Sequence, residues 1–362
     1  LTTLRFVIDD TIQIASTAFG SVVFDGMAFR KPLLAGGIAF AVALVLGPFV
    51  IRILRQRCGE RIASDSARLN ELHASKQKTP TMGGVLIMAA FLIGAGTCVQ
   101  WHTAFVWLVV GLALLLCGLG ACDDWIKLRT SKKGLTVRQK FIAQAVIAFI
   151  ASAVLAAIRG FEGGPATSLS GWLPEWAQFL MIPWAAFVIV GASNAVNLTD
   201  GLDGLAAGCT VITGAAMTVI ICRTAAAASI SAGGDAGIVQ DASIFFAAIT
   251  AAAAGFLWFN KHPASVFMGD TGSLPIGGLF ALLAVACQLE FVLLLTGAVF
   301  VVEVLSVMLQ VAWFRRTKQR ILLCSPLHNH FVFQAVKEVR IVRAFWLAAL
   351  ACSGLAILLL CF

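Results

Sequence analysis

An all-α, polytopic integral membrane fold is what the sequence predicts, on three observations. Apolar stretches near bilayer length recur from one end of the chain to the other; 60% of the residues are hydrophobic and only 12% charged, with mean hydropathy +0.93; and the basic residues gather in alternate connections. About twenty apolar residues is what a helix needs to cross the hydrocarbon core, and a soluble domain ordinarily carries about twice this share of charge. A length of 362 residues would suggest two soluble domains. The recurring bilayer-length stretches point instead to one integral membrane domain over residues 1–362.

The formal net charge of +8 has the sign that nucleic acid attracts, but the 26 Lys and Arg residues fall in connections, as topology signals do. No nucleic-acid partner is expected. The ten cysteines include no CxxC pair, and most (Cys98, Cys117, Cys209, Cys222, Cys287, Cys352, Cys361) lie in apolar stretches, where free Cys behaves as a small buried hydrophobe.

Taken in order, residues 1–24 are amphipathic and hold Asp9 and Asp10, which a signal-peptide core would not tolerate. They read as an interfacial helix within an N-terminal interfacial or periplasmic segment, 1–30. Ten apolar runs follow, near 34–54, 83–100, 104–122, 141–158, 178–196, 204–222, 241–259, 273–289, 291–314 and 342–362. Arg52, Arg55, Arg57, Arg61, Arg68, Lys76 and Lys78 lie in or after the end of the first run and place that connection in the cytoplasm, so the N-terminus lies outside. Single crossings then give cytoplasmic connections at 55–82, 123–140, 197–203, 260–272 and 315–341. The second holds Lys127, Arg129, Lys132, Lys133, Arg138 and Lys140, and the last holds Arg315, Arg316, Lys318, Arg320, Lys337 and Arg340. The outer connections have almost none, which independently supports about ten spans with both termini periplasmic. Pro183 and Trp184 interrupt the fifth run, where proline is expected to kink the helix. Neither an internal repeat nor a matched pair of broken helices, as transporters carry, is evident.

Three cytoplasmic connections carry carboxylates directly after a helix end. In Ala121-Cys122-Asp123-Asp124-Trp125-Ile126-Lys127, two ionised neighbours at the mouth of an apolar helix are costly unless a cation or a proton compensates. A solvated acid pair neutralised by Lys127 one turn on is the plain structural alternative. In Asn194-Ala195-Val196-Asn197-Leu198-Thr199-Asp200-Gly201-Leu202-Asp203-Gly204, two acids, two amides and a hydroxyl crowd into one short segment, more oxygen ligands than helix capping requires. The third runs from Asn260 to Ser273 and ends in Met268-Gly269-Asp270-Thr271-Gly272-Ser273, which enters an apolar helix. Amide N–H groups such as that of Gly269, at a helix start, can hold a phosphate that Mg²⁺ bridges to Asp270. One or two carboxylates suffice for Mg²⁺, so Asp270 is the expected ligand, with Asn197 and Asp200 as further candidates.

Lys76-Gln77-Lys78-Thr79-Pro80-Thr81-Met82-Gly83-Gly84 offers a phosphate or lipid phosphate two lysines and two hydroxyls, Lys76 and Thr81 among them, though juxtamembrane lysines commonly serve topology alone. In Ser325-Pro326-Leu327-His328-Asn329-His330 no Cys or acid stands at zinc spacing, so His328 and Asn329 are read as hydrogen-bonding to phosphate or sugar. Glu303 and Gln310 are seven residues apart and share a helical face. An intramembrane Glu needs a partner or a cavity, so helix packing and catalysis are equal readings of Glu303. Gln310, nearer the connections, is placed to reach a bound base.

In this order, TPTMGG, ACDDWIK, NLTDGLDGL, MGDTGS and the late histidine motif, spread over residues 76–330, resemble the phospho-N-acetylmuramoyl-pentapeptide transferase family of polyprenyl-phosphate sugar-1-phosphate transferases. The resemblance implies transfer of phospho-MurNAc-pentapeptide from UDP-MurNAc-pentapeptide to undecaprenyl phosphate, giving lipid I and UMP with Mg²⁺, on the cytoplasmic face of the bacterial inner membrane. It also implies that Asp123 and Asp124 act on the lipid phosphate and that Asp270 binds magnesium. Asn197, Asp200 and Asp203 would face the nucleotide, Phe267 would lie beside the uracil, and His328 would be the first histidine of the family's triplet. Lys76, Lys127, Lys140 and Gln310 match polar contacts to diphosphate or nucleoside, and a homodimer is compatible with the reading. One departure is visible: the family's three consecutive histidines are here His328-Asn329-His330, and Asn329 can hydrogen-bond but carries no proton at neutral pH. The chain also lacks tyrosine, for which no physical reason presents itself.

Two mechanisms fit these residues, direct attack by the lipid phosphate and a covalent aspartyl-phosphate step. A transferase for UDP-GlcNAc or another UDP-sugar would share the same core loops. An ion channel or transporter is disfavoured, because the acids cluster on one face instead of lining a midplane path.

Overall fold

The computed structural model describes residues 26–57, 79–130, 134–160, 165–230 and 236–361, without the side chains of 26, 27 and 225–230. The N-terminal helix expected at 1–24 and Lys76 fall outside these residues. Every regular element described is a helix: α1 Gly26–Arg57, α2 Gly84–Gly96, α3 Ala104–Arg129, α4 Val137–Arg159, α5 Met181–Thr199, α6 Leu205–Ile230, α7 Ala236–Asn260, α8 Asp270–Ala286, α9 Glu290–Thr296, α10 Ala298–Thr317, α11 Leu327–Phe333 and α12 Glu338–Cys361, with 3₁₀ turns at Leu169–Gly171 and Glu175–Leu180. Eight helices among the described residues are long and apolar enough to cross a membrane, and α2 and α8 are shorter apolar helices. Large apolar side chains point away from the protein, Val45 at 75% exposure and Phe187 and Leu359 at 67% each, as a lipid-facing surface requires. The protein is a polytopic membrane protein.

All ten apolar runs contain a helix, but their edges differ from expectation where polar residues continue the helical ladder. Helix α3 runs on to Arg129, with Lys127 and Arg129 complementing its C-terminal dipole, so Asp123 and Asp124 sit inside the helix and not in a connection. Asn194, Asn197 and Thr199 likewise belong to α5. Pro183 is the third residue of α5, in the first turn, where its missing N–H breaks no ladder bond; it starts the helix instead of kinking it. The ninth run is divided at Gly297, whose N–H bonds back to Leu293 O at 2.8 Å while α10 begins anew at Ala298. A Cβ at Gly297 would lie 2.8 Å from that same carbonyl, which explains the glycine at the break.

Helix α8 is the axis of the bundle: every residue from Asp270 to Ala286 is buried, with α3 and α5 against it and α2 and α7 beyond. Close approach makes this possible. A Cβ on Gly277 would lie 2.2 Å from Ala192 O, and one on Gly120 2.1 Å from Asp270 O, so α5 and α3 touch α8 backbone to backbone. Apolar burial gives helices little reason to associate in lipid, and interhelical hydrogen bonds average only about 0.6 kcal/mol, so tight small-residue packing carries much of the association. The bonds still fix register: Ser193 Oγ donates to Leu274 O at 3.0 Å, Gln144 Nε2 to Ser193 Oγ at 3.2 Å and Asn194 Nδ2 to Gln144 Oε1 at 3.0 Å, joining α4, α5 and α8. The N-terminus of α8 is thereby held among the polar ends of α3, α4 and α5.

A buried carboxylate cluster as the candidate active site

Asp270 opens α8, and three helices bring side chains to it. Asp123 and Asp124 of α3 are each 3% exposed and Asp270 7%. One oxygen from each lies within 4.8 Å of the others. Two lysines compensate them. Lys127 Nζ reaches Asp123 Oδ2 at 2.7 Å, Asp270 Oδ2 at 3.0 Å and Asp124 Oδ1 at 3.7 Å; Lys140 Nζ of α4 reaches Asp270 Oδ2 at 2.5 Å. Three carboxylates against two ammonium groups leave a formal charge of −1. The neutralisation by Lys127 that the sequence offered as a bland alternative is present, but the acids are buried and shared by two further helices.

The two neighbouring aspartates have separate tasks. Asp124 Oδ1 accepts the N–H of Asp270 at 3.2 Å, and its Oδ2 accepts Thr271 N–H at 3.0 Å and Thr271 Oγ1 at 2.7 Å, so it caps the first turn of α8 from outside that helix. Asp123 Oδ1 accepts Leu135 N–H at 2.6 Å, which draws the following connection over the site. Asn197 of α5 donates from Nδ2 to Asp270 Oδ1 at 2.6 Å and to Ser273 Oγ at 2.9 Å, and accepts Lys140 Nζ on its Oδ1 at 3.3 Å. Asp200 accepts Gly269 N–H at 3.2 Å. Thr81 is buried beside this turn: a Cβ on Gly269 would lie 2.8 Å from Thr81 Oγ1 and 2.6 Å from Asp124 Oδ2, and Gly269 has φ +70°, so glycine is required twice over. Phe267 works through its backbone, donating to Pro80 O and accepting Gly83 N–H, both at 2.8 Å, which clips the segment before α2 onto the one before α8.

A cavity of about 310 Å³ opens on this cluster, lined by Asp123, Lys127, Lys140, Asn197 and Asp270 on its polar side, with Gln144 and Asn194 beneath. Asp124 is not in its wall. The donor set fits a hard divalent cation: carboxylate oxygens close enough to share one ion, with Asp123 and Asp270 facing open space. Lysines at its rim suit a phosphate-bearing ligand.

Other candidates gather elsewhere. Asp203 Oδ2 meets His262 Nδ1 at 3.0 Å and accepts Ala264 N–H at 3.1 Å, while Glu338 lies 3.7 Å from the same imidazole nitrogen. Asn260 ties this second group to the glycine loop, accepting Gly204 N–H at 3.0 Å and donating to Val266 O at 2.9 Å. His328, 1% exposed, is held by Glu303 of α10, and Asn329 donates its backbone N–H to Pro326 O at 3.0 Å. Gln310 is 8% exposed, and its amide holds the turn after α10: Nε2 donates to Leu322 O at 3.1 Å and Oε1 accepts the N–H groups of Ile321 and Leu322 at 3.0 Å each. Gln310→Leu is therefore expected to loosen residues 318–326, since three hydrogen bonds to a partly exposed turn are lost, each worth about 0.5–1.5 kcal/mol. Faster hydrogen exchange confined to that turn would be the signature, and unchanged protection there would contradict the anchoring role.

Sequence reasoning passed over Gln144, Thr271, His262 and Glu338. A glutamine inside the fourth apolar run was the one signal available for the first of these.

Known proteins similar to this chain cover the elements that carry the cluster. A family model described as glycosyl transferase family 4 matches residues 106–288, from α3 through the end of α8, and a phospho-N-acetylmuramoyl-pentapeptide-transferase signature matches 76–88. Curated phospho-N-acetylmuramoyl-pentapeptide-transferases are similar over nearly the whole chain. That of Syntrophus aciditrophicus is 38% identical over 346 residues, covering 92% of this chain and 94% of that protein. That of Granulibacter bethesdensis is 41% identical over 330 residues (88% and 90%), and that of Desulfitobacterium hafniense 39% over 341 residues (91% and 98%). With identity of this order over about nine-tenths of its length, the chain belongs to the phospho-N-acetylmuramoyl-pentapeptide transferase family.

Proposed function

We propose that this enzyme transfers phospho-MurNAc-pentapeptide from UDP-MurNAc-pentapeptide to undecaprenyl phosphate, releasing UMP and forming lipid I at the cytoplasmic face of a bacterial inner membrane. The observation that carries the reading is the meeting of Asp123 and Asp270 with Lys127 and Lys140 at one cavity, with Asp124 close behind them, in a chain of this family. The whole chain acts as one membrane domain. Ten crossings with both termini periplasmic follow if α2 and α8 each cross and α9 with α10 forms one broken span; the lysine- and arginine-rich connections then share the side of the carboxylates.

Phosphoryl transfer asks a protein mainly for positioning and for neutralised charge. Asp270 would hold Mg²⁺, with Asn197 steadying Asp270 and Asp200 steadying Gly269. Bound there, the ion would supply charge neutralisation to a diphosphate and its leaving group. Lys127 and Lys140 bind phosphate oxygens at the cavity rim. Asp123 faces the cavity while Asp124 is committed to the first turn of α8, so Asp123 is the group that keeps the lipid phosphate deprotonated. An oxygen of the lipid phosphate attacks the sugar-linked phosphorus, and the bond to UMP breaks. On the nucleotide side we place Asp203, Phe267 and the 201–204 loop, with Lys76, Thr81, Gln310, His328 and Asn329 as surrounding contacts.

Purified protein in detergent or nanodiscs, given UDP-MurNAc-pentapeptide, undecaprenyl phosphate and Mg²⁺, is expected to release UMP, and to stop when either the acceptor or the cation is withheld. Turnover of UDP-GlcNAc in place of the muramoyl donor would overturn the assignment of substrate. Accumulation of labelled phospho-enzyme from donor alone would overturn the one-step route.

A further inference from the structure

The pairing of Glu303 with His328 has a geometry that neither helix packing nor the reaction scheme above uses. Both residues are buried, at 0% and 1% exposure. Glu303 Oε1 accepts the backbone N–H of His328 at 3.0 Å, and Oε2 lies 3.0 Å from Nδ1 of the same residue. With Glu303 ionised, both oxygens can only accept, so a neutral imidazole donates from Nδ1 and leaves its other nitrogen bare. That nitrogen, Nε2, is buried and has no hydrogen-bond partner among the described residues. An orphan of this kind is unfavourable, and a ligand that donates to it would offset that cost. It faces Gly201: a Cβ there would lie 2.3 Å from Nε2, so any side chain at 201 would cover it. Gly201 stands between Asp200, which holds Gly269, and Asp203, which holds His262 and Ala264. The seating of α11 does not depend on Glu303 alone, because Ser306 Oγ accepts Leu327 N–H at 3.0 Å on the same pair of helices.

We propose that Glu303 is a positioning residue that fixes His328 as the Nδ1–H tautomer and aims Nε2, as an acceptor, into the 200–204 loop, where it takes a hydrogen bond from a hydroxyl or N–H of the donor's nucleotide. The ligand rests on the transferase reading; the tautomer does not. A strut that merely joined α10 to α11 would hold the same proton on Nδ1 but would leave Nε2 indifferent to nucleotide.

The test uses the full chain in nanodiscs with ¹⁵N-labelled histidine, His328 being assigned by the signal lost in His328→Gln. In the unliganded protein Nδ1 is expected to be protonated and Nε2 bare, and saturating UMP is expected to shift the Nε2 resonance. Glu303→Gln should mix the tautomers and weaken UMP binding by about tenfold, as loss of a group that orients another side chain commonly does. The double variant Glu303→Gln, His328→Gln should bind UMP no worse than His328→Gln alone. A proton on Nε2 in the unliganded wild-type protein overturns the positioning role whatever the substrate is, and so do additive losses in the double variant. A correct tautomer whose Nε2 resonance ignores UMP overturns the nucleotide contact. Because the tautomer is read on the wild-type chain, failure of Glu303→Gln to fold does not remove the test. Absence of UMP release from every donor would count against the transferase reading and leave the tautomer result standing.

Discussion

Asp270→Asn is expected to reduce UMP release by about 10³-fold or more while leaving the fold in place. The substitution keeps the shape of the side chain and removes one negative charge from the point where Lys127, Lys140 and Asn197 converge. Breaking a buried ion pair commonly costs about 3–5 kcal/mol because it strands an uncompensated charge. Here two carboxylates and two ammonium groups would remain, so the cluster becomes formally neutral and the bundle should keep its thermal midpoint within a few degrees. What is lost is the excess negative charge that would hold a divalent ion against a diphosphate. The expected pattern is a collapse of kcat with raised Mg²⁺ giving only partial recovery. Activity within tenfold of the wild type would mean that Asp270 is a helix-end residue and that the site has been placed wrongly.

The parts of this molecule legible in its sequence are those that local chemistry decides. Bilayer-length apolar runs found a helix at all ten positions, and the three carboxylate motifs found the residues that meet in space. Hydropathy failed where a helix continues through polar residues: α3 carries Asp123 and Asp124 two turns before its end because the backbone ladder and Lys127 outweigh the cost of the acids. It also passed over the break at Gly297, since Gly is common inside membrane helices and a backbone turn leaves no mark on an apolar average. Pairings between distant residues were the least legible. Nothing at the spacing of Asp203, His262 and Glu338, or of Glu303 and His328, distinguishes a partner from a neighbour until the helices are packed. Gln310 is a further case: nothing in its position near the connections marked the bonds its amide makes to the turn that follows its own helix.

Gly120→Ala is expected to cut transfer by about 100-fold although Gly120 carries no chemistry. The added methyl would lie 2.1 Å from Asp270 O, 2.4 Å from its carbonyl carbon and 2.6 Å from Thr271 N. All three are backbone atoms at the start of a helix that is buried along its whole length, so no side chain can swing aside. Either α3 or the first turn of α8 must move, at an overpacking cost of about 1–3 kcal/mol. Asp124 is the bridge between those same elements, and any separation stretches its bonds to Asp270 and Thr271 and displaces Asp270 from Lys127 and Lys140. Gly118→Ala is the matched control: the same helix, an exposed position, nothing within 4 Å of the new methyl, and better helix propensity. Its transfer rate and thermal midpoint should equal or exceed those of the wild type. If the two alanines behave alike, contact between α3 and α8 does not set the geometry of the carboxylates, and their alignment must come from the lysines instead.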